Sequence, residues 1–156
     1  MTIGVVFLVW ALPHYPLELV GRTRHMRTEA ASSPLIVVIE DEAIVLAGYQ
    51  MLFESWGYRV VAAASSRSAH EQLAESGDRP DFILADYRLK EGQTGTDAIQ
   101  SLRDAFGEGI PGVLVTGDTA VDRLRTAAAS GLPILHKPVN GRQLLDLLRR
   151  SVAPVA

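Results

Sequence analysis

A parallel β-sheet covered by helices on both faces is the fold class that this 156-residue sequence predicts. Three observations point to it. Short apolar runs at Leu35–Ile39, Phe82–Ala85 and Gly112–Val115 have the length and continuity of strands buried on both sides. Each is followed by a segment with apolar residues at helical spacing. The runs end in polar or charged residues, as strands do where their tips open onto a site. Strand-then-helix units in succession, joined by right-handed crossovers, leave few alternatives to a doubly covered sheet, and a barrel of eight such units needs about 250 residues.

Residues 1–33 are read as an N-terminal extension and 34–154 as the domain. Ile3–Leu12 is an apolar run of ten residues, well short of the roughly 20 that a membrane-spanning helix needs. Arg22, Arg24 and Arg27 follow the run rather than preceding it, unlike the charged start of a secretory signal. Pro13, Pro16 and Ala30–Pro34 give the extension a linker-like end. No membrane role is expected.

The first strand, Leu35–Ile39, runs into Glu40-Asp41-Glu42. Ile44, Val45, Gly48, Met51 and Leu52 recur at helical spacing in the first helix, which stops at Gly57. Arg59–Ala64 reads as the second strand, with Ser66 or Ser68 capping a helix through Glu75 before the turn Gly77–Pro80. After Phe82–Ala85 and a polar loop from Lys90 to Gly95, Ala98, Ile99 and Leu102 form the apolar face of a third helix. Gly112–Val115 ends at Thr116-Gly117-Asp118, and Val121, Leu124, Ala127 and Ala128 belong to a fourth helix that closes at Gly131. Ile134 and Leu135 make a short fifth strand before His136-Lys137-Pro138. Asn140 is a good N-cap for a last helix carrying Leu144, Leu145, Leu147 and Leu148, whose negative end suits Arg149 and Arg150.

The chain has no cysteine, so disulfides, thiolate metal sites and cysteine nucleophiles are excluded, which suits a reducing, cytoplasmic compartment. A net charge of -3 and a pI near 5.8 offer no diffuse attraction to phosphate backbones, and no nucleic-acid binding is expected.

In a parallel sheet the strand ends share one edge, so Glu40-Asp41, Asp86, Thr116 and Lys137 can converge despite their separation in sequence. Three carboxylates together repel one another and raise each other's pKa unless a cation neutralises them. An all-oxygen cluster with few ligands favours magnesium, which keeps waters and leaves room for a phosphate. Asp86 can then attack phosphorus to form an aspartyl phosphate, with Lys137 and the Thr116 hydroxyl on the transferring oxygens. Each residue alone has an ordinary reading: Glu40-Asp41-Glu42 as charge favoured at a helix start, Asp86 as a turn former, Thr116 as a cap, Lys137 as a solvated charge. Their joint occurrence on successive strand ends favours the site. His136 alternates out of the strand and is read as structural or surface.

With that constellation in this order and spacing, residues 34–154 resemble the receiver domain of two-component response regulators. The resemblance implies a flavodoxin-like (βα)5 fold with strand order 2-1-3-4-5. It also implies phosphotransfer to Asp86 from a sensor histidine kinase or histidine phosphotransfer protein. It implies Mg2+ held by Asp41, Asp86 and the backbone carbonyl of Arg88, with Glu40 acting through water, and a cis peptide at Lys137–Pro138. The sequence departs from the common pattern in places. Glu40 stands where Asp is commoner, Lys90 takes a usual proline position, and Gly95 falls one residue late, so the loop after Asp86 is expected to be reshaped. Ile134 replaces an aromatic that often swings inward, so a switch by aromatic rotation is not expected. Arg88 and Asp118 are expected to pair across the mouth and hinder attacking water. Leu132–Val139 is similar to receivers at the C-terminus of hybrid sensor kinases.

The leading expectation is therefore a single-domain phosphoacceptor without enzymatic turnover of external substrates. Since no effector segment follows Ala156, output is expected by passing phosphate onward or by protein contact through the fourth helix, fifth strand and fifth helix. Homodimerisation stays open. One rival is a phosphatase with Asp86 as nucleophile, but such enzymes generally use a second carboxylate two residues on, where this chain has Arg88. The other is a degenerate receiver acting purely as an interaction module, against which the intact acids, Thr116 and Lys137 speak.

Overall fold

The computed structural model describes residues 33–117, 119 and 121–152; the expected extension up to residue 32, and Asp118, lie outside the described residues. The strands are β1 (Leu35–Ile39), β2 (Arg59–Ala63), β3 (Phe82–Asp86), β4 (Gly112–Thr116) and β5 (Ile134–His136). They alternate with helices α1 (Ala43–Ser55), α2 (Ser66–Ser76), α3 (Gly95–Phe106), α4 (Val121–Ala129) and α5 (Gly141–Ser151). The sheet is parallel, as the sequence pattern predicts, in the order β2-β1-β3-β4-β5, the flavodoxin-like arrangement that the resemblance implies.

β1, β3 and β4 are buried along their whole length, which is why they read as unbroken apolar runs. On one side Val37, Ile39, Ile83, Ala85 and Leu114 pack with Ala69 and Leu73 of α2, Ala98, Ile99 and Leu102 of α3, and Ala127 of α4. On the other side Ile36, Val38, Leu84, Val113 and Val115 pack with Tyr49 and Phe53 of α1 and Leu144 and Leu148 of α5. Successive strand residues thus feed opposite layers. No helix among the described residues is long and apolar enough to cross a membrane.

Local signals end most helices as the sequence suggests. Gly57 and Gly131 adopt positive φ just beyond α1 and α4, and the Asn140 side-chain oxygen Oδ1 accepts from the backbone N–H groups of Arg142 and Gln143. One expectation is corrected. The cap of α2 is Ser65, whose hydroxyl accepts from the Ser68 N–H at 3.2 Å, rather than Ser66 or Ser68. Of the apolar α1 residues at helical spacing, Val45 and Leu52 pack against the core, whereas Ile44, Gly48 and Met51 face outward. Tyr49 and Phe53 are buried on the core side, while Ile44 is 89% and Met51 71% exposed. α1 is apolar nearly all round, so periodicity does not single out a face, and the two aromatics with most area to bury occupy the core.

This orientation has a direct test in unfolding free energies. Phe53→Ala should cost about 3–5 kcal/mol by leaving a core cavity. Ile44→Ala and Met51→Ala should each stay within about 0.5 kcal/mol of the parent. Urea unfolding of the three variants measures this, and comparable losses at residues 44 and 53 would contradict this orientation.

Candidate functional site

Register sets the site. Ile39 lies opposite Ala85, so Glu40 and Asp86, one residue further on, come side by side. Asp86 lies opposite Val115, which puts Thr116 one step beyond it on β4. The Lys137 N–H donates to the Thr116 carbonyl at 2.8 Å, carrying Lys137 past the end of β5. The Lys137–Pro138 peptide is cis, as expected.

Lys137 Nζ lies 3.3 Å from Glu40 Oε2 and 3.4 Å from Asp86 Oδ2. Glu40 is fully buried, and its other oxygen, Oε1, accepts from the Glu42 N–H at 3.0 Å. Asp86 and Thr116 are also buried, and Asp41 is half-buried. Above them opens a cavity of about 480 Å³ lined by Asp41, Glu42, Asp86, Arg88, Thr116, Gly117, Thr119 and Lys137. Glu40 sits outside that lining, with both oxygens already engaged by protein groups.

Burial shifts the titrating groups. It pushes the Glu40 carboxyl up, against the Glu42 N–H and with help from the Asp86 charge. It also pushes Asp86 up, with Lys137 pulling the other way and Asp41 adding repulsion. Burial alone would lower Lys137, but the Asp86 and Glu40 carboxylates together outweigh it and its pKa rises. The same field reaches the inner face of α1, where burial, then Glu40 and Asp86, hold the Tyr49 phenol up to about 12.

The donor set suits a hard divalent ion. Oxygens of Glu40, Asp41 and Asp86 lie within 4.8 Å of one another, a spacing that an ion with ~2.1 Å bonds and retained waters bridges. Asp41 and Asp86 face the cavity, whereas the engaged oxygens of Glu40 fit a role through water.

The loop after Asp86 forms a miniature hairpin. Arg88 and Thr94 form an antiparallel bridge, and the Leu89 N–H donates to the Gln93 carbonyl at 3.2 Å. The turn at Lys90–Gly92 has left-handed residues at Glu91 (φ 62°) and Gly92 (φ 74°). Thr94 then caps α3 in a reciprocal pair with Asp97. The sequence reading places Ile134 beside the switch; it is half-buried in β5 against the core, and the cavity lining does not include it. Three residues that shape the site escaped the sequence reading. Thr119 lines the cavity three residues after Thr116. Gly117 would place a Cβ 3.7 Å from the Lys137 side chain. A Cβ on Gly95 would come within 2.3 Å of the Asp86 carbonyl oxygen, so only glycine lets α3 start against the acceptor strand.

That last contact predicts that Gly95→Ala destabilises the fold by about 1–3 kcal/mol, because backbone must move to admit the methyl group. Gly48→Ala, with open space at its Cβ, should be neutral or stabilising. Paired urea unfolding curves check both, and an unchanged Gly95→Ala midpoint would show that α3 does not press on Asp86.

Comparison with known proteins fits this geometry. The family profile of the response regulator receiver domain matches residues 36–149. The phyllosphere-induced regulator PhyR of Methylorubrum extorquens is 33% identical over 81 residues, covering 52% of this chain and 30% of that protein. The transcriptional regulatory protein ZraR of Escherichia coli K12 is 33% identical over 124 residues, covering 76% of this chain and 26% of that protein. The chain thus spans less than a third of the length of either relative. A response regulator receiver protein from Pseudomonas putida superposes with a TM-score of 0.66 at 26% identity, covering 77% of this chain and 98% of the other.

Proposed function

The chain belongs to the response regulator receiver family, and from that premise we propose that it accepts a phosphoryl group on Asp86 from a phosphohistidine of a sensor histidine kinase or phosphotransfer protein. The observation that carries the reading is the Lys137 ammonium within 3.3 Å of Glu40 and 3.4 Å of Asp86, beneath a polar cavity large enough for a phosphoryl group. Transfer forms a bond between an Asp86 carboxylate oxygen and phosphorus and breaks the donor's N–P bond, whose electron pair leaves with the imidazole. Mg2+, held by Asp41, Asp86 and the Arg88 carbonyl, would offset charge on the transferring oxygens. Lys137 and the Thr116 hydroxyl supply donors to the same oxygens, and burial of the site strengthens both interactions.

Arg88, two residues after the nucleophile, supports an acceptor rather than a phosphatase, because no carboxylate stands there to protonate a leaving alcohol. Output through the surface of α4, β5 and α5 is consistent with α4, whose one buried residue is Ala127.

Incubation with acetyl phosphate and Mg2+ should label the wild-type chain at one site and leave Asp86→Asn unlabelled, as read by intact mass and phosphate-affinity gels. Label that persists in Asp86→Asn would assign the acceptor elsewhere.

The raised carboxyl pKa values fix a second expectation. Glu40 and Asp86 hold protons more tightly folded than unfolded, so the folded state binds more protons and stability falls as pH rises through and above the carboxylate range. Mg2+ binds the folded, deprotonated cluster, so it should raise Tm near pH 7, by about 2.7 kcal/mol of stability at 100 Kd, and much less near pH 4. Differential scanning fluorimetry at both pH values tests this, and an equal gain in Asp41→Asn would move the ion away from the cluster.

A further inference from the structure

Between residues 34 and 120 the chain has six Lys and Arg: Arg59, Arg67, Arg79, Arg88, Lys90 and Arg103. Four are engaged within the chain. Arg59 pairs with Asp78, Arg79 donates to the Phe106 carbonyl at 2.7 Å, Arg103 donates to the Ile110 carbonyl at 2.8 Å, and Arg88 is engaged as well. The two left over, Arg67 and Lys90, have no side-chain partner among the described residues, and both line one cavity of about 580 Å³. Its volume exceeds the roughly 480 Å³ of the acidic cavity and lies within the range of small-molecule sites.

The two cations come from separate segments. Arg67 stands at the start of α2, after Ala64 and Ser65, and Lys90 stands on the hairpin beside Leu89 and Gln93. The Ser65 hydroxyl accepts from the Ser68 N–H, so its own proton is free to be donated. The half-buried Gln93 side chain has no partner among the described residues and adds amide donors. Ala64 and Leu89 supply an apolar patch, and Glu91 is the single acid of the lining. Donors and positive charge outnumber acceptors, and two like charges around one cavity are held together by an anion between them. The hairpin separates this cavity from the acidic one. Arg88 lines the acidic cavity and Leu89, next along, lines this one, as successive residues of an extended arm point to opposite sides.

We infer that this cavity is a second ligand site, for a small organic anion whose carboxylate or phosphate oxygens bridge Arg67 and Lys90 while its apolar part rests on Ala64 and Leu89. The site makes no use of Asp86 and stands or falls apart from the phosphoacceptor reading.

The probes are phenylphosphonate, which has no phosphoryl group to transfer, benzoate, and neutral benzyl alcohol, each titrated into the full 15N-labelled chain without Mg2+. Phenylphosphonate or benzoate should shift the backbone amides of residues 64–67 and 89–93 saturably, and benzyl alcohol should not. Tighter binding of phenylphosphonate supports a phosphate ester as ligand, and tighter binding of benzoate a carboxylate. Arg67→Ala and Lys90→Ala should each weaken binding about three- to ten-fold. Glu91→Gln should tighten it about two-fold, a direction that a merely structural role of the hairpin would not produce. All three variants should keep the amide dispersion of the wild type, so that a lost site is told from a lost fold. Binding unchanged in both cation variants overturns the proposal. Shifts centred on Asp86, Thr116 and Lys137 overturn it too, because they put the anion in the acidic cavity, and so does the absence of saturable shifts with either anion.

Discussion

Two carboxylates buried side by side at the ends of β1 and β3 are tolerable because one ammonium, from beyond β5, reaches both. Glu40 is completely enclosed and Asp86 nearly so, and Lys137 lies within 3.4 Å of each. Removing one partner of a buried ion pair typically costs about 3–5 kcal/mol, because the survivor stays desolvated and uncompensated. Here the figure is smaller, since the Lys137 side chain keeps 30% of its exposure. The sheet order follows the same constraint. A parallel sheet puts residues 40, 86, 116 and 137 on one rim, and the order with β1 and β3 adjacent and β4 next in line makes Glu40 and Asp86 immediate neighbours.

The fold and the members of this rim were legible in the sequence because both rest on strong, local signals. Apolar runs of strand length name the buried strands, and the residue ending each run names its tip, so Asp86 and Thr116 follow from counting, while Lys137 stands one residue past the end of β5. A parallel sheet then brings the tips together without further information. What the sequence did not disclose depends on where chain segments approach in space. Gly95 looks like a loop glycine, and nothing in its neighbours says that its missing Cβ is filled by the Asp86 carbonyl. Thr119 enters the cavity through the path of the chain after Thr116, which no periodicity encodes. The role of Glu40 through water came with the resemblance, and its enclosure, with one oxygen on Glu42 and one on Lys137, gives that role a structural reason.

The orientation of α1 is hidden in the sequence for a different reason. A helix with one polar and one apolar side declares its orientation, whereas α1 carries apolar residues on both. Periodicity offers two stripes, and the choice falls to volume: Tyr49 and Phe53 fill the layer shared with Leu144 and Leu148, leaving Ile44 and Met51 outside. The ambiguity carries information. A stripe with no place in this chain's own core carries no charge along its length, although a charged residue would be tolerated at an exposed helix position.

The hairpin after Asp86 ties these parts together. In a plain loop, Arg88 would hang on flexible backbone. Here its pairing with Thr94 fixes it, Thr94 in turn caps α3, and α3 begins with the glycine that abuts the Asp86 carbonyl. Backbone contacts therefore run from the acceptor through the hairpin into a helix and back to the acceptor, and the residue two places beyond Asp86 is held at the cavity wall by secondary structure. The left-handed conformation at Glu91 carries a local energetic cost, of order 1 kcal/mol for a residue other than glycine. It is offset by closing this loop, and rigid backbone around an acceptor carboxylate is what lets a small set of donors act without first being ordered.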